Sequence, residues 1–437
     1  MQSKIPTSKT SRGVVVGKAM FKIGVASSKG AVKRAFMSKE NKEASQSETH
    51  AEIAKVIIDS LGTLKGVSVK IAQQVALGLP FLPQEYLDEI SKSFNAIPPI
   101  NKALIRKILK QELGDYPQKV FETFDNDAFG AASLGQVHHA TYNGKDLAVK
   151  VQYPGIATSI ESDLSVIKFA LTRFAKGQNI DHLMDEVEQR LQEEVDYTLE
   201  ADNTRFYEKN LNHELIVVPS IVDALSTRTV LTSTFLEGNS FEFFMKLNPS
   251  QKERNHYAQL IFDSFFIGLY RLNMVHADPN PGNFIFMADN MLGMIDFGCV
   301  KKVDKTFLKD FSKLHVLLMD KASDEIVAQQ YADLEMIDQG EMSEMLAFYQ
   351  SVIKPLDRIY IEIFEDEKYD FKKNNDFSQR GFNTIMEVQK NQRHAVHKMN
   401  ADYIFIDRTL LGYYNIFEKM EATIDTRFAQ RLIRKGI

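Results

Sequence analysis

The sequence predicts an α+β chain of two lobes, a small β-rich N-terminal lobe and a helical C-terminal lobe, with a helical extension in front. Three observations carry this expectation. Short apolar runs punctuated by turn residues gather between 136 and 235. From 251 onward apolar residues recur at helical spacing for most of the remaining chain. Within that helical part, two apolar runs, 283–287 and 291–295, flank Ala288-Asp289-Asn290 and read as one hairpin.

Composition sets the outer bounds. The chain has 437 residues, a formal net charge of −5 and one cysteine. That length suits two domains or one large bilobal unit. The charge argues against general nucleic-acid binding. Cys299 alone cannot form an intramolecular disulfide, so a reducing, cytoplasmic setting is expected. We read it as a small, partly buried residue rather than a redox thiol. No uncharged apolar run reaches the length of a membrane span, and the longest candidate, 71–84, contains Pro80 and Pro83. Any membrane contact is therefore expected to be peripheral, as at the inner membrane.

Taken in order, residues 1–46 read as a flexible basic segment. No acidic residue occurs from Met1 to Lys39, whereas Lys4, Lys9, Arg12, Lys18, Lys22, Lys29, Lys33, Arg34 and Lys39 are basic. A solvated tail is one reading, a segment lying on an anionic membrane surface a second, and a transit peptide, against which the few Arg and many Lys speak, a third. Residues 47–115 form the helical extension. Helical periodicity runs from 48 to 79, a Leu79-Pro80-Phe81-Leu82-Pro83 break follows, and helices resume at 84–94 and 102–113. Lys70 and Gln73 lie three apart on the first of these helices and share a face.

Residues 116–237 form the β-rich lobe. Gln136 to Tyr142 reads as a strand, Asn143-Gly144 as a two-residue hairpin turn, and 147–151 as the return strand ending in Ala148-Val149-Lys150-Val151. Before the hairpin stands Gly130-Ala131-Ala132-Ser133-Leu134-Gly135-Gln136-Val137. A loop of small residues lets backbone N–H groups approach phosphates, and Lys150 would supply the cation. An amphipathic helix is expected over 159–174 and one long helix over 182–207. The latter carries Glu194, Asp196 and Glu200, of which Glu194 and Glu200 are candidate carboxylate partners for Lys150. An acidic solvated face is the plainer alternative for each. Strands are expected at 217–222 and 229–235, with Glu237-Gly238 as the hinge.

Residues 238–437 form the helical lobe. A long apolar helix over 251–273 delivers the chain to His276-Ala277-Asp278-Pro279-Asn280-Pro281-Gly282-Asn283. After the hairpin comes Asp296-Phe297-Gly298. Everything beyond Cys299 is expected to be helical, at 305–318, 323–334, 343–353, 384–398, 410–420 and 425–435, with 361–376 a loop.

The pattern H-x-D-x-x-x-x-N, a hairpin, then D-F-G suits metal-assisted phosphoryl transfer. That chemistry needs oxygen donors to hold Mg²⁺ against phosphates and a carboxylate beside the attacking hydroxyl. Protein kinases place a catalytic-loop Asp, an Asn five positions on and a DFG Asp in this order.

Together these motifs resemble the UbiB (AarF-type) family of atypical protein-kinase-like proteins, from about Ser60 to the end. Lys70-Ile71-Ala72-Gln73 is similar to the family's K-x-G-Q, with Ala72 in place of glycine. Ala131-Ala132-Ser133 stands for the alanine-rich loop, with Gly130 where the family often has alanine. Glu194-Val195-Asp196 matches E-x-D, and Leu82-Pro83-Gln84-Glu85-Tyr86 and Asp407-Arg408-Thr409-Leu410-Leu411-Gly412 look like family segments. The resemblance implies a bilobal protein-kinase-like fold with an added N-terminal helical extension. It implies ATP (or ADP) and Mg²⁺ as cofactors and Gly130, Ala131, Ala132, Ser133, Gly135, Val137, Lys150 and Glu200 around the nucleotide. Lys150 would pair with phosphates and Glu200, Asp278 would take the catalytic-base position, and Asn283 and Asp296 would hold the metal. Lys70 and Gln73, held by Glu194 and Asp196, would fold over the active site. Family members are linked to isoprenoid quinone biosynthesis and to ATPase activity. Contact with a lipid or quinone precursor at a membrane surface is therefore expected, with 1–39 and 77–81 as the places to look. Three alternatives remain at this point: a conventional Ser/Thr protein kinase, a small-molecule kinase, and a nucleotide-binding pseudokinase scaffold.

Overall fold

The computed structural model describes residues 101–132, 134–157, 180–391 and 400–436, with further positions between 14 and 29, at 56 and between 160 and 168. The helices expected at 48–79 (apart from Val56) and 84–94, with Lys70 and Gln73, lie outside the described residues, as does most of the helix expected at 159–174. Chain contacts divide the molecule into two units, 1–201 with 221–235, and 202–220 with 236–437.

The first unit is built on a mixed-length antiparallel sheet. Its strands are β1 (Thr123–Phe124), β2 (Gly130–Ala132), β3 (Gly135–Tyr142), β4 (Lys145–Gln152) and β6 (Val230–Thr234). The path runs β1-β3-β4-β6, with β2 also paired to β3. Asn143 and Gly144 both take positive φ in the β3–β4 turn, the two-residue geometry that matches strand twist. Alternation sends Ala140, Leu147, Val149, Val151 and Val230 into a core with Ile105 and Leu109. Those last two lie on α1 (Lys102–Leu113), which is capped by Asn101 and closed by Gly114 at φ 89°. Lys150 pairs across to Val137 on one side and Leu231 on the other, so all three share the opposite sheet face.

Several expectations are corrected here. Within the segment expected over 1–46, residues 17–25 are helical, with Ala19 and Ile23 buried one turn apart. The helix expected over 182–207 is two helices, α3 (Ile180–Glu194) and α4 (Tyr197–Asn210), since the Asp196 carboxylate accepts from the Thr198 N–H and restarts the helix. The strand expected over 217–222 shrinks to β5 (Ile216–Val217), because Pro219 has no N–H to donate.

The second unit holds a large apolar core. Through it runs α6 (Gln251–Ile267), started by a capping box of Ser250 and Glu253. A π-helical turn, Gly268–Leu272, ends at Asn273 in the left-handed region. The chain then forms β7 (Met274–His276), β8 (Phe284–Phe286), β9 (Leu292–Met294) and β10 (Val300–Lys302). Strands β8 and β9 are the expected hairpin, and β5 joins β9 in parallel.

The region past Cys299 is not all helical. β10 pairs with β7, and β11 (Lys368–Asp370) pairs with β12 (Thr423–Asp425). Between them lie α7 (Lys305–Met319), α8 (Asp324–Asp333), α9 (Met342–Phe348), α10 (Lys354–Ile361), α11 (Phe377–Asn391) and α12 (Ala401–Lys419), and α13 (Arg427–Lys435) closes the chain. Three-residue strands carry no period long enough to register as strands, and α10 replaces part of what had no assignment. The loop expected over 361–376 contains the turn Glu362–Phe364 and β11.

Candidate active site

In the first unit the central feature is Lys150. Its strand, β4, lies between β3 and β6, so it is not an edge-strand lysine. The ammonium meets both carboxylate oxygens of Glu200 at 2.8 Å. The two side chains are 13% and 5% exposed, so the pair is held away from bulk water and from screening. Glu200 reaches it from the first turn of α4. Gln152 donates to the Val195 carbonyl at 2.8 Å and the Tyr197 N–H donates to the Arg228 carbonyl at 3.0 Å. These two bonds pin the break before α4. Of the two candidate partners, Glu200 is the one the structure places on Lys150. Asp196 instead pairs with Arg228 at 3.2 Å, and Glu194 ends α3 half-buried.

The small-residue segment is tighter than a phosphate loop read from sequence alone. Gly130, Ala131 and Ala132 form strand β2, and Ala132 pairs directly with Gly135. Ser133 itself is outside the described residues. Gly135 is a strand residue whose lack of a side chain is sterically required. A Cβ there would run into the Val151 carbonyl oxygen and come within 2.9 Å of the Tyr197 hydroxyl. Gly130 has no such constraint, since the nearest atom to an added Cβ is 3.7 Å away on Val137.

In the second unit the loop after β7 and the turn after β9 are joined by direct bonds. The Asn283 amide N–H donates to the Asp278 carbonyl at 3.1 Å, and the Ile295 N–H donates to the Asn283 carbonyl at 2.9 Å. The first bond ties the expected base loop to Asn283, and the second ties Asn283 to the residue before Asp296. Asp296 adopts φ 64°, the left-handed region that costs a non-glycine residue roughly 1–2 kcal/mol. Its carboxylate accepts from the Gly298 N–H at 3.2 Å. Backbone strain of this kind concentrates at functional positions. Asn283 and Asp296 offer hard oxygen donors of the sort Mg²⁺ takes together with phosphates and water. Among the described residues no three His, Cys, Asp or Glu side chains form a ready-made metal cage.

His276 is the hub of this half. Its Nε2 donates to the Asp296 carbonyl at 2.8 Å, which fixes the proton on that nitrogen. Its Nδ1 faces the Tyr413 hydroxyl at 3.2 Å, and that hydroxyl also donates to the His276 carbonyl at 3.1 Å. Burial raises the Tyr413 phenol well above its ordinary value, reinforced by Tyr207 and the negative charge of Asp278, so it stays a neutral donor. Phe297 is fully buried, with its ring 4.9 Å from that of Tyr207 and edge-on to His276. The Asn203 amide holds the Phe297 carbonyl at 3.0 Å. One residue before Tyr413, Gly412 packs against the ring of Pro279, where an added Cβ would overlap it. Tyr197, Gln152, Asn203 and Tyr413 were not singled out from sequence. Only Tyr413 had a signal, its place beside the 407–412 segment.

A family model described as the ABC1 atypical kinase-like domain matches residues 92–330. The mitochondrial atypical kinase COQ8B of Danio rerio is 28% identical over 324 residues, covering 70% of this chain and 50% of that protein. The probable serine/threonine-protein kinase abkA of Dictyostelium discoideum is 29% identical over 334 residues, covering 71% and 59%. The chloroplastic Activity of bc1 complex kinase 8 of Arabidopsis thaliana is 28% identical, covering 63% and 38%. The chain thus spans between 38% and 59% of the length of these relatives. Among solved structures, Rv3197 of Mycobacterium tuberculosis, determined with erythromycin, matches at a TM-score of 0.63 and 23% identity, covering 91% of this chain and 98% of that one.

Proposed function

This chain belongs to the ABC1 atypical kinase-like family, and from that premise we propose that it binds Mg²⁺-ATP and releases or transfers the γ-phosphoryl group in support of isoprenoid quinone or lipid metabolism. The observation that carries the proposal is the buried two-pronged pair of Lys150 and Glu200. A lysine ammonium locked by a helix carboxylate is how kinase-like enzymes aim a cation at nucleotide phosphates. Asn283 and Asp296 would hold the Mg²⁺, which neutralises charge on the phosphates when bound. Asp278 would orient the attacking hydroxyl or water and accept its proton. Val137, on the same sheet face as Lys150, would pack against the base, and the tight β2–β3 hairpin would cover the phosphates.

Relatives named as kinases support the reaction class. The name of the plant relative, which refers to the bc1 complex, supports a place near quinone chemistry. No helix among the described residues is long and apolar enough to cross a membrane, and we propose lipid contact as peripheral. The test is titration of the full chain with ATP and with ADP by calorimetry, with and without Mg²⁺. Saturable binding strengthened by Mg²⁺ and weakened at least tenfold in Lys150→Ala is expected. Absence of binding to the native chain would overturn the proposal.

A further inference from the structure

The Lys150 ammonium is held from a second direction. The ring of Tyr197 lies 5.0 Å from the Lys150 Nζ. Tyr197 is 1% exposed and sits three residues before Glu200 on α4, so the ring and the carboxylate rise from one helix face. Tyr197 packs with Ala201 and Leu231, and Leu231 is the β6 neighbour of Lys150 in register. The far end of the same ring reaches the hairpin. Its hydroxyl lies against Gly135, which leaves no room there for a Cβ. Gly135 in turn pairs with Ala132 at the hairpin end and with Gln152 two residues beyond Lys150. One buried side chain therefore faces the lysine with its ring and limits the space beside the glycine at the hairpin end with its hydroxyl.

We propose that Tyr197 is a positioning residue that fixes the Lys150 ammonium beside Glu200 through its ring face. The proposal deepens the nucleotide reading and rests on it for what the ammonium would touch. A carboxylate alone leaves the long lysine stem free to pivot about the contact. A ring face attracts the cation through its quadrupole and is more effective when both are desolvated.

The first test does not depend on ATP. Competitive acetylation of Lys150 by acetic anhydride, followed by mass spectrometry across pH, reads the midpoint at which the ammonium loses its proton. Losing the ring destabilises the charged form. In Tyr197→Leu the midpoint moves to lower pH by about one unit, a tenfold change in acid constant. Tyr197→Phe keeps the ring face and the native midpoint. Tyr197→pentafluorophenylalanine reverses the ring quadrupole at nearly constant volume, so it gives the same downward shift even if the leucine variant does not fold. A native midpoint in the fluorinated variant, with Glu200→Gln shifting it as a control, would overturn the proposal. The second test measures Mg²⁺-ATP turnover. Tyr197→Leu raises KM more than it lowers kcat, and Tyr197→Phe restores most of the loss. If the native chain has no turnover, the nucleotide reading fails while the acetylation result still decides the role of Tyr197.

Discussion

Glu200 grips Lys150 with both carboxylate oxygens at 2.8 Å, across 50 residues of chain and almost out of reach of solvent. Such a pair costs desolvation on both sides, and removing one partner strands the other charge. Glu200→Ala should therefore lower stability by about 3–5 kcal/mol in denaturant melts. The double change Lys150→Met with Glu200→Leu should recover most of that loss while abolishing nucleotide binding. Equal destabilisation in the single and double variants would show that packing, not the buried charge, sets the cost.

Asp296 holds φ at 64°. Glycine and asparagine tolerate that region and alanine does not. Asp296→Ala should be less stable than Asp296→Gly by about 1 kcal/mol, with Asp296→Asn close to native. Chemical denaturation of the three variants checks the order, and alanine and glycine behaving alike would mean that the turn relaxes.

Gly412 faces Pro279 with no space for a methyl group. Gly412→Ala should cost about 1–3 kcal/mol by overpacking and should perturb the Asp278 loop more than the Lys150 unit. Hydrogen exchange resolved by peptide reads this as faster exchange confined to 274–283.

How much of this was legible in the sequence depends on how local each cause is. The β3–β4 hairpin follows from alternation and from Asn143-Gly144, both readable within a few residues. The H-x-D and D-F-G segments and their intervening hairpin are equally local. The break at Asp196 was not, because it depends on the Arg228 carbonyl from a bend distant in sequence as well as on a cap within an otherwise good helical pattern. Pairing of β7 with β10 and of β11 with β12 joins three-residue runs too short to show a period. The Tyr413 contact to His276 spans 137 residues, and nothing in either neighbourhood announces it.

A buried carboxyl in the helical lobe gives a pH dependence. Burial raises Asp357 to about 7, against opposing hydrogen bonds from Tyr331 and Tyr349 and the charge of Lys354. Tyr403 lies on Tyr331 at 3.0 Å, and buried Asp407 is raised in the same direction, first by burial and then by the charge of Asp357. The protonated acid is thus favoured in the folded state. Its contribution is full below the ordinary carboxyl range and is lost as pH rises through about 7. Thermal melts should fall between pH 5 and pH 8 more steeply for the native chain than for Asp357→Asn, which stays neutral. Parallel curves would contradict this, and Asp407 would account for any slope left in the variant.

The decisive measurement is phosphate release from Mg²⁺-ATP by the purified chain, made with and without anionic liposomes and beside Asp296→Asn. Release should need Mg²⁺, disappear in Asp296→Asn while the fold is kept, and rise on liposomes if the substrate is lipid-borne. Nucleotide bound without release in either condition would contradict it and would favour a nucleotide-binding scaffold.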